Sequence, residues 1–454
     1  MIGEAESMIK RLGRLMTVAV GMSIGAATVH AGGTTETTQW PQWRGPGLDG
    51  SSQATGLPTQ WGDSENIAWK VPMPSWSGAT SIIWDDRIFV TSPSAPDVDG
   101  KKQDGRGLID RNPGGNQLLL ICLNKSDGSE RWRRELGGGN RFVMKQNMSS
   151  PSPVTDGQHV WALTGTGVFA CFDMDGKEIW RRDIQKDYGK FGLNHGFASS
   201  PLLLKDKLVI PVLHGMKTDD PSYLFAVDKL TGKTLWKVER WTDAPSESPD
   251  AYTTPTVLQY GDHFEIIVSG GDYITAHDPA DGKEVWRTGG LNPNKDPYFR
   301  SITSPLAYGD MVYATSRVKP MLAVRSGGKG NVEKSHIAWK SDQGPDVPTP
   351  VCDGKYLYVL RDKGFMLCHD AKTGKVIWGP ERIAQGTYSA SPLLADGKIY
   401  VISEKGVATV LKTGPKFKVL AENTLNDGWV LASFAVSGNR LYLRGSQYLY
   451  CIGK

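Results

Sequence analysis

Residues 226–236 read Ala-Val-Asp-Lys-Leu-Thr-Gly-Lys-Thr-Leu-Trp. Within that stretch a small residue stands two places before an Asp, a Gly-Lys turn follows, and a Trp comes three places after the Lys. The pattern returns as Cys122-Leu123-Asn124 to Gly128 and Trp132, and as Cys171-Phe172-Asp173 to Gly176-Lys177 and Trp180. Two further copies run from Ala276-His277-Asp278 to Gly282-Lys283 and Trp286, and from Cys368-His369-Asp370 to Gly374-Lys375 and Trp378. Ala323 to Trp339 is a looser copy, and Ala408 to Phe417 is one without the Trp. Short alternating apolar stretches flank each copy, the period of a half-buried strand rather than of a helix.

A second motif runs between these. It reads small-Ser/Thr-Pro, then a strand, an Asp/Gly turn and another strand. Copies end at Pro153, Pro201, Pro255, Pro305, Pro350 and Pro392, with variants centred on Ser81 and Phe434. The eight positions are spaced 72, 48, 54, 50, 45, 42 and 42 residues apart. Each unit holds four short strands in about 40–50 residues, the size of one propeller blade. The chain stops after a third strand, Tyr448 to Ile452, and the missing fourth with its Trp stands at the other end as Asn66-Ile67-Ala68-Trp69. The expected fold is all-β: an eight-bladed propeller of four-stranded blades whose last blade is closed by an N-terminal strand, which leaves no free sheet edge around the ring.

Composition agrees with a repeat array. The chain has 454 residues, with 53 Gly, 27 Pro, 15 Trp and 5 Cys, and 52 Lys and Arg against 48 Asp and Glu. Near-balanced charge argues against a nucleic-acid binder, and five Cys over this length make no disulfide framework. Lys10, Arg11 and Arg14 precede an apolar run from Leu15 to Val29, which ends in Val29-His30-Ala31. A basic start, a short apolar run and a small-x-small end describe a secretory signal peptide, too short and Gly-rich for a membrane span. The expected organisation is a signal peptide over 1–31, an N-terminal extension over 32–65, and the propeller over 66–454.

The Asp-x-x-Thr-Gly-Lys-x-x-Trp repeats resemble those of the PQQ-like (pyrroloquinoline quinone-type) β-propeller superfamily, which includes quinoprotein dehydrogenases and BamB-like outer-membrane assembly propellers. The opening Trp40-Pro41-Gln42-Trp43-Arg44-Gly45-Pro46, with Asp49-Gly50 and Leu57-Pro58 before Trp61, is similar to the start of exported bacterial members. The resemblance covers residues 40–454 and implies the scaffold. One fold hosts many chemistries, so it does not by itself imply the reaction.

The chemistry-bearing residues mostly read as architecture. Cys122, Cys171, Cys368 and Cys451 fall at the repeat position that Ala226, Ala276, Ala323 and Ala408 fill elsewhere, so they serve as slightly larger alanines. Cys352 stands alone and reads as part of an outer hairpin. His277-Asp278 and His369-Asp370 occupy the repeated x-Asp position, where the Asp accepts backbone N–H groups of its own turn. Gly165-Thr166-Gly167 opens no helix and is no dinucleotide fingerprint; no Cys-x-x-Cys-His offers a haem site. In the dehydrogenases the quinone lies over a Trp, usually beneath adjacent cysteines, with Ca²⁺ beside it; this chain has no Cys-Cys pair, and no catalytic Asp or calcium ligand maps onto it.

The remaining candidates sit in loops expected to share one propeller face. They are Trp76, Asn194, His195, His214, Tyr252, Arg300, Tyr388 and Trp429, with His195 and His214 in one unit and close enough to approach each other. An insertion from Pro93 to Asn116 is expected to overhang them. Aromatics with one Arg and a His suit a planar or anionic ligand, or a protein partner; equally, they suit a plug that fills the funnel. The sequence thus supports a non-catalytic, exported, periplasmic or extracellular monomer that binds a protein or a cell-envelope polymer, with no catalytic residue, metal or cofactor expected. The alternative is a periplasmic quinoprotein-type oxidoreductase acting on alcohols or sugars, with PQQ and Ca²⁺.

Overall fold

The structure, a computed structural model, describes residues 38–96, 112–317 and 319–454. The expected signal peptide and residues 97–111 of the Pro93–Asn116 insertion lie outside the described residues. Eight antiparallel four-stranded sheets follow one another along the chain, two of them carrying a short fifth strand. Blade 1, for example, runs Ile82–Trp84, Arg87–Pro93, Leu118–Asn124 and Glu130–Gly137. Blade 8 takes Ala435–Ser437, Arg440–Arg444 and Tyr448–Ile452 from the C-terminus and completes itself with Ile67–Pro72, antiparallel to the third. The fold is the eight-bladed propeller that the repeats imply.

Register explains the repeat residue by residue. The small residue faces the Trp of the next strand in every clear copy: Cys122 opposite Trp132, Cys171 opposite Trp180, Ala226 opposite Trp236, Ala276 opposite Trp286 and Cys368 opposite Trp378. Each pair sits at a register shift, so the indole leans across its small partner towards the neighbouring blade. There it meets the turn glycine. A Cβ added at Gly176 would stand 2.8 Å from the Trp132 ring, and one at Gly282 would stand 2.5 Å from that of Trp236. The indole N–H then donates to a carbonyl of the next blade: Trp132 to Met174 O at 3.0 Å, Trp180 to Lys229 O at 2.9 Å, Trp236 to Pro279 O at 3.2 Å and Trp339 to Ala371 O at 3.0 Å. Trp286 is different because the longer turn of blade 5 lays Gly330–Asn331 beside it, and its N–H goes to Glu265 instead. The repeated Asp does what its turn requires: Asp228 accepts from Leu230 N, Thr231 N and the Thr231 hydroxyl.

Blade 7 has no such Trp. The register shift of its outer strand pair falls at Val410, opposite Ala421, so Val410 and not the expected Ala408 holds the repeat's small position. Two residues beyond Ala421, Asn423 binds the N-terminal extension, accepting from Trp61 N at 3.0 Å and donating to Thr59 O at 3.0 Å. Trp61 then packs between Tyr400 of blade 7 and Phe434 of blade 8. The extension supplies the wedge that the repeat omits.

The Ser/Thr of the second motif forms a belt around the channel. Thr80 N donates to Ser152 Oγ, Ser152 N to Ser200 Oγ, Ser200 N to Thr254 Oγ1 and Thr254 N to Ser304 Oγ, at 2.9–3.0 Å. Ser304 N continues to Thr349 Oγ1, Thr349 N to Ser391 Oγ and Ser391 N to Ser433 Oγ, at 2.9–3.1 Å. Seven links thus join eight blades, each hydroxyl satisfying an N–H that the start of an inner strand leaves unpaired.

Beneath the belt the N-terminal segment crosses the channel. Trp40 pairs with Ile83, Pro41 O accepts from Thr155 N, and the Gln42 side chain accepts from Leu203 N. Buried Arg44 donates to Pro350 O and Pro392 O, both at 2.7 Å, and Ser51–Ser52 adds a parallel strand beside Leu393–Ala395. These contacts lie one to four residues further along the inner strands than the belt, roughly 3–13 Å at strand rise. The sequence-expected boundary at residue 65 therefore separates two stretches that pack as one body.

The five cysteines are free and buried. Cys352 lies on the innermost strand of blade 6, not in an outer hairpin, because the short inner strand Val351–Cys352 directly follows Pro350.

Candidate functional site

Above the belt the channel widens into a cup of about 620 Å³. Trp43 forms part of its floor, the belt hydroxyls its neck, and loops from blades 2 to 8 its walls. Both loop types foreseen from the sequence contribute. Loops entering the inner strands bring Lys145, His195, Arg300 and Asp346, and loops joining the second and third strands bring Asp362, Lys363 and Glu404.

Of the eight candidates, His195, Tyr252 and Arg300 line this cup, and Asn194 stands directly behind it. They meet through a residue that the sequence reading passed over. Glu247 is buried and takes the His195 Nε2 at 2.9 Å on one oxygen, which also accepts from Asn194 Nδ2 at 3.0 Å; its other oxygen faces Arg300 at 3.6 Å. Its own N–H donates to Pro297 O. Glu247 therefore staples the entering loops of blades 3, 4 and 5. Tyr252 adds to the same wall, its hydroxyl accepting from His195 N at 3.0 Å. Burial and the neighbouring Arg300 push the His195 pKa down, against the pull of Glu247. Asp250 lies beneath, accepting from Asn194 N at 2.6 Å and Met216 N at 3.1 Å, and burial raises its pKa to about 6.

The other four candidates lie outside the cup lining. Trp76 is buried, donates to Asn112 O at 2.6 Å and packs edge-on against Trp429, and neither ring lines the cup. Tyr388 is wholly buried and donates to Ala384 O at 2.7 Å, because its ring fills the core between blades 6 and 7. His214 does not join His195. Its Nδ1 accepts from Gly192 N at 3.1 Å and its Nε2 lies 3.2 Å from Pro221 O, which uses both nitrogens to lock the loop.

The opposite wall holds Lys145 paired to Glu404 at 2.8 Å, with Ser389 donating to the same carboxylate at 2.6 Å. Asp346 and Asp362 also face the cup, and burial raises the Asp346 pKa. Among the described residues, three cations (Lys145, Arg300 and Lys363) thus meet three carboxylates (Asp346, Asp362 and Glu404) on the lining. No signal in the sequence marks Glu247, Lys145, Asp346 or Glu404 as partners, since they come from four separate blades; the second-to-third-strand position of Glu404 was the clue available.

A family model described as outer membrane protein assembly factor BamB matches residues 62–211, 115–286, 220–333 and 329–416. The chain belongs to that family. Solved relatives agree on the fold of this BamB-family propeller. BamB from Moraxella catarrhalis is 15% identical, with a TM-score of 0.57 over 84% of this chain and 95% of that one. A europium-containing methanol dehydrogenase is 11% identical, with a TM-score of 0.67 over 92% of this chain and 98% of that one. Among curated proteins, the quinohemoprotein alcohol dehydrogenase ADH-IIG of Pseudomonas putida is 30% identical over 132 residues, 26% of this chain. That match spans only 16% of the dehydrogenase.

Proposed function

We propose that this BamB-family propeller is a non-catalytic binding scaffold of the cell envelope, exported and monomeric, which receives a protein or envelope polymer at its loop-bearing face. The observation that carries this reading is the one-ended cup. A cavity floored by the N-terminal segment can hold the end of a partner while the rim loops grip what continues outside. Its polar groups are positioned by one another, as binding walls are, and no helix of the described residues is long and apolar enough to cross a membrane.

The oxidoreductase alternative is favoured by the local dehydrogenase match and by Trp43 on the cup floor. The donor set weighs against it. Among the described residues no three His, Cys, Asp or Glu side chains stand together to hold a metal ion, and Glu247 and Glu404 are spent on His195, Arg300 and Lys145. Among the described residues the lining also balances its charge, where a polyanionic quinone calls for excess cations.

A photo-crosslinking residue placed at Met144 or Lys363 on the cup tests the binding reading, with Val376 on an outer strand as control. Envelope fractions are expected to yield specific adducts from the two cup positions and not from Val376. Equal labelling at all three removes the support for this reading. Dye-linked alcohol turnover after adding PQQ and Ca²⁺ decides for the alternative.

A further inference from the structure

The cup carries donors without acceptors and acceptors without donors. Each of the seven belt hydroxyls, from Ser152 round to Ser433, accepts a backbone N–H of the preceding blade. A hydroxyl also has a hydrogen to give. None of the seven gives it to a protein atom among the described residues, and these side chains line the cup. Facing them, the half-buried carboxylates of Asp346 and Asp362 make no side-chain hydrogen bond and no ion pair within 4 Å among the described residues. Polar groups drawn out of bulk water and left unmatched cost free energy. Water satisfies both sets when the cup is free, and a ligand that replaces it must offer acceptors and donors together.

Two further features narrow the ligand. The half-buried Trp43 indole supplies a flat apolar patch on the floor, crowded from below by the Arg44 guanidinium 5.9 Å from its centroid. Among the described residues, the three cations and three carboxylates of the lining leave no net charge to attract a polyion. A pyranose ring matches all of this at once: one face of C–H groups, a rim of hydroxyls that donate and accept, and no charge. A planar anion leaves the two carboxylates without donors, and an apolar ligand leaves both sets unmet.

We infer that the cup is a carbohydrate site taking the end of a neutral oligo- or polysaccharide, with a terminal sugar ring over Trp43 and its hydroxyls shared between the belt and the carboxylates of Asp346 and Asp362. This rests on the binding reading above and names the ligand class for it. Asp346 acts as an acceptor for sugar hydroxyls, and Trp43 as the platform.

Isothermal titration of the full exported chain with cellotetraose, xylotetraose, chitotetraose and maltotetraose tests it, with tetragalacturonate as the charged comparison. At least one neutral tetrasaccharide is expected to bind with Kd below about 1 mM. Asp346→Asn or Trp43→Leu is expected to weaken that binding at least tenfold without a change in melting temperature. The two variants probe different faces of the site, so a folding defect in one leaves the other informative. The inference is overturned if no neutral tetrasaccharide binds, if tetragalacturonate binds tighter than all four, or if neither variant alters binding. Failure here with specific adducts still forming at Met144 and Lys363 strikes the ligand class alone; loss of those adducts as well strikes the binding reading.

Discussion

Replacing Trp236 by Ala tests the seam between blades 3 and 4. The indole is 8% exposed, faces Ala226 across its own blade, lies against the Gly282 turn of the next, and donates to Pro279 O at 3.2 Å. An aromatic side chain of this kind buries about 150–250 Å², which at about 25 cal/mol per Å² sets an upper bound of roughly 4–6 kcal/mol. Measured Trp→Ala losses of about 3–5 kcal/mol allow for partial collapse of the cavity. Of this, about 1 kcal/mol belongs to the hydrogen bond to Pro279, so Trp236→Phe, which keeps most of the ring, is expected to lose only about 1–2 kcal/mol. Trp241 provides the control: it is 54% exposed beneath Arg287, and Trp241→Ala is expected to cost less than about 1 kcal/mol. Urea unfolding followed by circular dichroism measures all three, using the midpoint of the first transition because a ring of eight blades need not melt in one step. Hydrogen exchange in Trp236→Ala is expected to quicken first at residues 278–283, the turn that loses its wedge. A Trp236→Ala midpoint equal to that of Trp241→Ala would falsify the wedge role and with it the account of the repeat.

Ser200→Ala removes the acceptor for Ser152 N and is expected to cost about 1–2 kcal/mol in thermal or urea unfolding, whereas Ser246→Ala, outside the belt, is expected to cost under about 0.5 kcal/mol. Arg44→Leu strips donors from Pro350 O, Pro392 O and Asp49 O, and a loss of at least about 2 kcal/mol is expected. Limited proteolysis should then cut within residues 38–65 before any blade. For Asp250, the folded pKa near 6 exceeds the ordinary carboxylate value of 3.8, so the native state holds the extra proton between about pH 4 and 6. Its contribution therefore weakens stability as pH rises through that window, and the difference in unfolding free energy between wild type and Asp250→Asn is expected to change there and stay flat above pH 7. A difference that is level from pH 4 to 7 contradicts the raised pKa.

How far the sequence reaches can be judged at particular residues. The cysteine position was legible because register sets it opposite a Trp, and that constraint recurs every blade. The funnel aromatics were not. Trp76 and Tyr388 share the loop position of Arg300, yet their rings turn into the core, and loop position alone does not fix a side chain's direction. Glu247 was missed for a related reason. Its partners His195 and Arg300 lie 52 and 53 residues away, in neighbouring blades, and no local pattern records which loops a closed ring brings together.

Blade number, the wedge at the seams that carry the repeat Trp and the strand that closes the ring were determined by the sequence alone, because each depends on contacts that repeat at a fixed spacing and so leave a periodic trace. The tertiary structure alone decided that the Trp40–Gly50 segment floors the channel, that Trp61 fills the seam blade 7 leaves open, and that balanced charges face one another across the cup. Those contacts occur once each, between residues hundreds of positions apart: 348 for Arg44 and Pro392, and 362 for Trp61 and Asn423. A contact made only once leaves no period to read, and only closure of the ring sets its distance.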